Sequence, residues 1–142
     1  FDNKRYIDEM RIGFDLDNLY LRIDPDRDFK RHAADLSIRV RIRRGEDPDG
    51  DFDVVEMQFG DALGASVLDS EGQMRDIIEF VGYQDSVELA VPFASLELEA
   101  GQNFAMTVGV WDDERLLERH PRDRMLELTV PDETFEARNW MV

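Results

Sequence analysis

Carboxylates are the most abundant reactive groups in this chain. Asp and Glu number 33 against 17 Lys and Arg, a net charge of −16 over 142 residues. A pair of acids could in principle do glycosidic acid–base work, but on so small and acidic a chain such pairs arise by chance, and a solvated surface accounts for them. Two acidic loops have a spacing that suits calcium. In "DPDRD", Asp24, Asp26 and Asp28 alternate as the first ligands of an EF-hand loop do. Phe29, however, stands where that loop turns on Gly, and Asp35 replaces the twelfth-position Glu. In "EDPDGDFD", Asp47, Asp49, Asp51 and Asp53 alternate, yet the Pro-Asp-Gly within it already specifies a hairpin turn. His32 and His120 lie in separate polar stretches, without Glu-x-x-His spacing and in a chain free of cysteine. That pattern is no metal signature. Nucleophile elbows, Gly-rich phosphate loops and Ser–His spacings are missing as well. The sequence therefore assigns no catalytic residue, no cofactor and no metal, with Asp24, Asp26 and Asp28 as a weak calcium alternative.

The charge also bears on partners. Phosphate backbones and anionic membrane surfaces need a basic face, so neither nucleic acid nor membrane is an expected partner. No apolar run approaches the roughly 20 residues that span a bilayer, and no leader pattern opens the chain. A Cys-free composition fits a cytoplasmic setting. The cations are 15 Arg and two Lys, which suits fixed, forked pairing with carboxylates. Since the chain opens at Phe1 and not Met, it is expected to be an excised piece of a longer protein, forming a single domain over 1–142.

Period-two alternation governs the elements that must position any site. In "DLSIRVRIRR", Leu36, Ile38, Val40 and Ile42 alternate with polar residues; after the "GEDPDG" turn, Val55, Met57 and Phe59 do the same. Pairing at i + j = 95 joins Val40 to Val55, Ile38 to Met57 and Leu36 to Phe59 on the buried face, with Arg39 opposite Glu56 on the wet face. In "EMRIGFDLDNLYLRID", a turn at Asp17–Asn18 with i + j = 35 sets Arg11 against Asp24, whereas 33 would oppose Arg11 to Arg22. Further strands are expected at Asp76–Tyr83, Ser86–Val91, Asn103–Trp111 and Met125–Val130. Pro92 ends its strand, Ala94–Leu96 can make only a helical turn, and "EAGQN" reverses the chain. The expected class is all-β, an antiparallel two-sheet sandwich of immunoglobulin-like or jelly-roll-like type with only short helical turns.

The succession "ELAVPF", "ASLEL", "EAGQNF", "AMTVGVWD" resembles the later half of family 9 carbohydrate-binding modules and related DOMON-like sandwiches. "GFDLDNLYLRIDP" and "LLERHPRDRMLELTVPDETFEARNWMV" resemble the C-terminal accessory domain of family 57 glycoside hydrolases, the α-amylase, glucanotransferase and branching-type enzymes acting on α-glucans. The tail "VPDETFEARNWMV" is the most specific piece. The resemblance implies a non-catalytic sandwich that packs on an upstream catalytic barrel of the same chain, where the family's carboxylates lie. Its alternative implication is an independent carbohydrate-binding module that takes an α-glucan oligosaccharide through exposed aromatics.

Rings are therefore the candidate contacts. Trp111 shares a face with Ala105, Thr107 and Gly109, and could floor a sugar, meet a neighbouring domain or belong to the core. Trp140, after Arg138 and Asn139, is expected to anchor the terminus or touch a ligand. Tyr20 and Arg22 share the wet face of their hairpin beside Gly13, as cross-strand cover or as contacts to sugar hydroxyls. Two tryptophans are few for a glucan platform, so glucan binding by the isolated piece is expected to be millimolar or weaker, about −4 kcal/mol at best.

Overall fold

A computed structural model of the chain describes residues 4–134 together with the backbone of 140 and 141. It is an all-β, two-sheet antiparallel sandwich. The smaller sheet holds β1 (Ile7–Phe14), β2 (Asn18–Pro25), β7 (Phe80–Tyr83) and β8 (Val87–Pro92), in the order β1-β2-β8-β7. The short β12 (Trp140–Met141) adds to its β1 edge. The larger sheet holds β3 (Ser37–Arg44), β4 (Phe52–Gln58), β5 (Gly64–Leu68), β6 (Met74–Ile77) and β9 (Asn103–Asp112), in the order β9-β3-β4-β5-β6. The outer edge of β9 is shared by β10 (Arg115–His120) and β11 (Leu126–Thr129). Among the described residues no helix is long and apolar enough to cross a membrane.

The alternation of apolar side chains builds the core. Ile38, Val40, Ile42, Val55, Met57, Phe104, Met106, Val108 and Val110 of the larger sheet are buried against Ile12, Leu19, Leu21, Ile23, Leu89 and Val91 of the smaller one. The β3–β4 hairpin follows the 95 register, with Val40 on Val55, Ile38 on Met57 and Arg39 on Glu56. Each end of the sandwich is closed by a short helical element. At one end α1 (Arg27–His32), capped by Asp26 accepting from the Arg27 N–H, inserts Phe29 between Phe59 and Tyr83. At the other, the 3-10 turn Phe93–Leu96 buries Phe93 between Phe14 and Phe104. Gly101 then reverses the chain with φ +80°, a conformation open to glycine at little cost.

Two expectations need correction. The β1–β2 hairpin runs in the 33 register, with Arg11 opposite Arg22. The turn falls on Leu16–Asp17, one residue early, because the Asp15 carboxylate accepts from the N–H groups of Asp17 (2.8 Å) and Asn18 (2.6 Å) and fixes it there. The facing arginines each find an acid two residues along their own strand, Arg11 with Glu9 at 3.2 Å and Arg22 with Asp24 at 3.3 Å. Cross-strand charge alone was too narrow a criterion. The segment Asp76–Tyr83 is likewise not one strand. Ile78 donates its N–H to Ala65 (2.9 Å) and buries its side chain, and the chain then crosses from β6 in one sheet to β7 in the other.

The start of β1 is tied across the sandwich by Glu118 of β10. Its carboxylate accepts from the N–H groups of Tyr6 (3.0 Å) and Ile7 (2.9 Å) and lies 2.7 Å from His120 Nε2. Burial pushes this carboxyl up, but the hydrogen bonds from His120, Tyr6 and Ile7 outweigh it and hold the group below its ordinary value of 4.5. The stabilisation is complete above the unfolded carboxyl's pKa and is lost as pH falls through the lower folded one. Acid titration of wild type is therefore expected to show a loss of stability below about 4.5 that is smaller in Glu118→Gln, read from urea midpoints at successive pH.

Candidate functional site

The outer face of the smaller sheet carries one register row in which large rings alternate with small residues. Phe80 opposes Ala90, Ala90 opposes Tyr20, Tyr20 opposes Gly13, and Gly13 opposes the backbone of Trp140. Strand pairing fixes this order, since directly paired residues share a face. The rings of Phe80 and Tyr20 therefore flank Ala90 at a separation of two strands, roughly 10 Å. Around them lies a cleft of about 590 Å³, lined also by Asn18, Asp76, Ile77, Glu79 and Pro92. Phe80 and Ile77 are each 64% exposed, a large apolar exposure at the mouth of a concave site.

The polar groups of the cleft are mostly fixed. The Tyr20 hydroxyl donates to Asp15, whose carboxylate also holds the hairpin turn. That bond, then burial, raises the phenol above its ordinary pKa; Asp15, raised by burial, is drawn below its own by Tyr20 and the turn N–H groups. Tyr20 thus keeps its proton and its ring is held by a tether at its tip. Asp76 accepts from the Ser95 hydroxyl and from the Ile77 N–H (2.8 Å), bonds that lower its pKa and keep it ionised. Glu79 has no hydrogen-bond or ion-pair partner among the described residues, and its carboxylate is exposed. None of the residues lining the cleft is cationic. The arrangement offers apolar ring faces with acceptor-only carboxylates at their margin.

Behind the cleft wall stands a buried ion cluster. Asp53 is 2% exposed and accepts from Arg44 and, through both oxygens, from Arg75 at 2.7 and 3.1 Å. Arg75 immediately precedes Asp76. The cluster thus pins the chain where it leaves the larger sheet to form the cleft wall.

Of the residues singled out in the sequence, Tyr20 lies in this cleft. Arg22 shares its face one row away, paired with Asp24 and beside a separate depression lined by Gly82, Tyr83 and Glu88. Trp140 occupies the register position beyond Gly13; its side chain lies outside the described residues. Trp111 is on the opposite sheet. Its half-buried ring sits beneath the Arg39 guanidinium, 4.9 Å from the centroid, and over Gly109 beside Leu116. The small residues of β9 accommodate the β3 arginines, since Ala105, Thr107 and Gly109 face Arg43, Arg41 and Arg39. A Cβ on Gly109 would come within 2.8 Å of Trp111 Nε1 and 3.0 Å of Leu116 Cδ1. Gly109→Ala is therefore expected to displace the indole and cost about 1–3 kcal/mol, with a shift in tryptophan emission.

The acidic loops turn out to be engaged elsewhere. Asp24 accepts from Ser86, Asp26 caps α1, and Asp28 accepts from the Arg5 N–H at 2.9 Å. In the second loop Asp47 closes a turn by accepting from Asp49, while Asp53 serves the ion cluster. Among the described residues no group of three potential ligands converges on a metal position.

Sequence reasoning passed over Phe80, Asp76 and Glu79 because it read them within one strand. The signal was the adjacent pair Ile77–Ile78, which breaks the alternation where the chain changes sheet. Comparison with family models, curated proteins and solved structures finds no match to this chain.

Proposed function

We propose that this sandwich is a non-catalytic accessory domain that binds carbohydrate in the Tyr20–Phe80 cleft, within a longer α-glucan-active enzyme of the family 57 glycoside hydrolase type. The observation that carries the reading is the row Phe80–Ala90–Tyr20, two ring positions separated by a small residue in a concave, acceptor-lined site. Pyranoses present apolar faces for stacking and a margin of hydroxyl donors, and the cleft supplies complements to both. The α-glucan context rests on the resemblance of Gly13–Pro25 and Leu116–Val142 to that family's accessory domain. A Cys-free chain suits our placement of the parent enzyme in the cytoplasm.

A second reading has the sandwich packing on the catalytic barrel of the same chain. It is favoured by the exposure of Met74 (62%) together with Ile77 and Phe80, an apolar surface that such a contact would cover. Titrating the domain with maltoheptaose under backbone-amide NMR separates the two. The sugar reading expects saturable shifts at 18–20, 76–80 and 90–91, a Kd of roughly millimolar, about −4 kcal/mol, and weakening in Phe80→Ala. It also expects no release of reducing sugar. Absence of any shift in the cleft at saturating oligosaccharide would leave the barrel contact as the better account, and turnover lost on a single acid substitution would overturn the non-catalytic assignment.

A further inference from the structure

We infer that the outer edge of β6 docks an extended segment of a partner protein, one that alternates apolar residues with Lys or Arg and adds to the larger sheet as a further strand. This goes beyond both readings above and does not depend on what fills the cleft.

The edge is open. β5 pairs one side of β6, and among the described residues no strand pairs the other. Ile78 donates its N–H to Ala65 at the end of β5, so the N–H of Ile77 points the opposite way. There it meets the Asp76 carboxylate at 2.8 Å, where a sheet interior would supply a strand carbonyl. Edges of this kind are templates for further pairing, and proteins blunt them with Lys, Pro or a covering element. β6 reads Met-Arg-Asp-Ile and has neither residue. Its single cation, Arg75, is turned away to Asp53.

Register sets what the segment carries. Arg75 is an extra residue in β6, so Met74 pairs with Leu68 and Ile77 with Ser66, two positions on one face. With Phe80, Met74 and Ile77 are the most exposed large apolar side chains among the described residues. Alternate side chains of an added strand lie beside these two, and apolar ones cover them. The intervening side chains fall on the face of Asp76, which pairs with Val67. Asp76 is kept ionised by Ser95 and the Ile77 N–H, and Glu79 follows it, exposed. Neither acid has a cation partner among the described residues. Lys or Arg at the intervening positions supplies that counter-charge.

Other occupants fit less well. A second copy would set Asp76 and Glu79 near their own equivalents, and one net charge of −16 against another. The chain's own β12 is placed elsewhere, on the β1 edge of the smaller sheet.

The test titrates the domain at low salt with a blocked peptide alternating Val and Lys, read by amide NMR and hydrogen exchange. Saturable shifts at 74–77 and slower exchange of the Ile77 amide are expected. The fully N-methylated peptide keeps its charge but loses its ladder donors, and should bind ~10-fold more weakly or worse, a loss of about 1.4 kcal/mol. A peptide with Glu in place of Lys should leave these resonances unmoved. Met74→Lys, at an exposed position outside the cleft, is expected to abolish binding while leaving the urea midpoint in place. Equal binding of the N-methylated peptide would mean that charge alone holds it, and would overturn strand addition. Equal binding of the Glu peptide would overturn the charge complement. Saturation without shifts at 74–77 would overturn the edge itself. Protection of 74–77 that grows with the concentration of the domain alone would assign the edge to a second copy and overturn the partner.

Discussion

Asp53→Ala is expected to destabilise the sandwich by about 3–5 kcal/mol, because it removes the buried member of a charge cluster, leaving Arg44 without a carboxylate and Arg75 with only the exposed Glu97 at 3.4 Å. Asp53 faces inward from β4 opposite Ile42 and is 2% exposed, so its carboxylate has given up water for Arg44 and Arg75. The Arg75 contact is bidentate, the strong form of such a pair. The two guanidinium side chains are 31% and 21% exposed, so they recover part of their hydration and the cost should fall toward the lower end of the range. Urea unfolding at neutral pH measures it. The triple variant Asp53→Val, Arg44→Met, Arg75→Met should be closer to wild type than Asp53→Ala, since a matched apolar cluster leaves no orphaned charge. A triple variant less stable than the single one would mean that the cluster stabilises by itself. Asp53→Ala should also weaken maltoheptaose binding, because Arg75 fixes the backbone that presents Asp76 and Ile77 to the cleft. A loss of stability with unchanged affinity would separate the cluster from the site.

The parts of this molecule legible in the sequence are those set by local alternation. The β3–β4 hairpin follows from Ile38 and Val40 facing Met57 and Val55, where a slip of one residue would put arginines in the core. The turn after Pro92 and the reversal at Gly101 are equally local. What the sequence hides depends on which strands become neighbours. The Phe80–Ala90–Tyr20–Gly13 row joins four segments that lie between residues 13 and 90, and no spacing along the chain reports it. Trp111 drew attention by size, yet its surroundings are set by Arg39, which reaches it from another strand. The 33 register of the first hairpin was hidden for a related reason. An Asp15 side chain capping its own turn competes with cross-strand charge, and the sequence does not say which dominates.

Phe29→Ala is the other substitution with a large expected effect, about 3–5 kcal/mol, and it should act on stability alone. A six-residue helix has no stability of its own in water, so α1 is held by what it buries and caps. Phe29 is fully buried and meets Phe59 edge-on at 5.1 Å and Tyr83 at 5.9 Å, while Phe59 and Tyr83 meet at 5.5 Å. Removing the ring forfeits its burial and two edge-to-face contacts, and leaves a cavity at one end of the core. Phe29→Leu should cost less, because most of the volume stays. Tyr83 gives an independent readout. Burial raises its phenol above the ordinary value, so water entering the vacated space should bring that pKa back down in Phe29→Ala, seen in an NMR titration of the ring. An unchanged Tyr83 titration would mean that the site had collapsed onto the missing ring, and the measured cost should then be small. The cleft lies toward the opposite end of the sandwich, around Asn18, Ala90 and Pro92. The folded Phe29→Ala protein should therefore bind maltoheptaose as wild type does, whereas Asp53→Ala, whose partner Arg75 adjoins the cleft wall, should not.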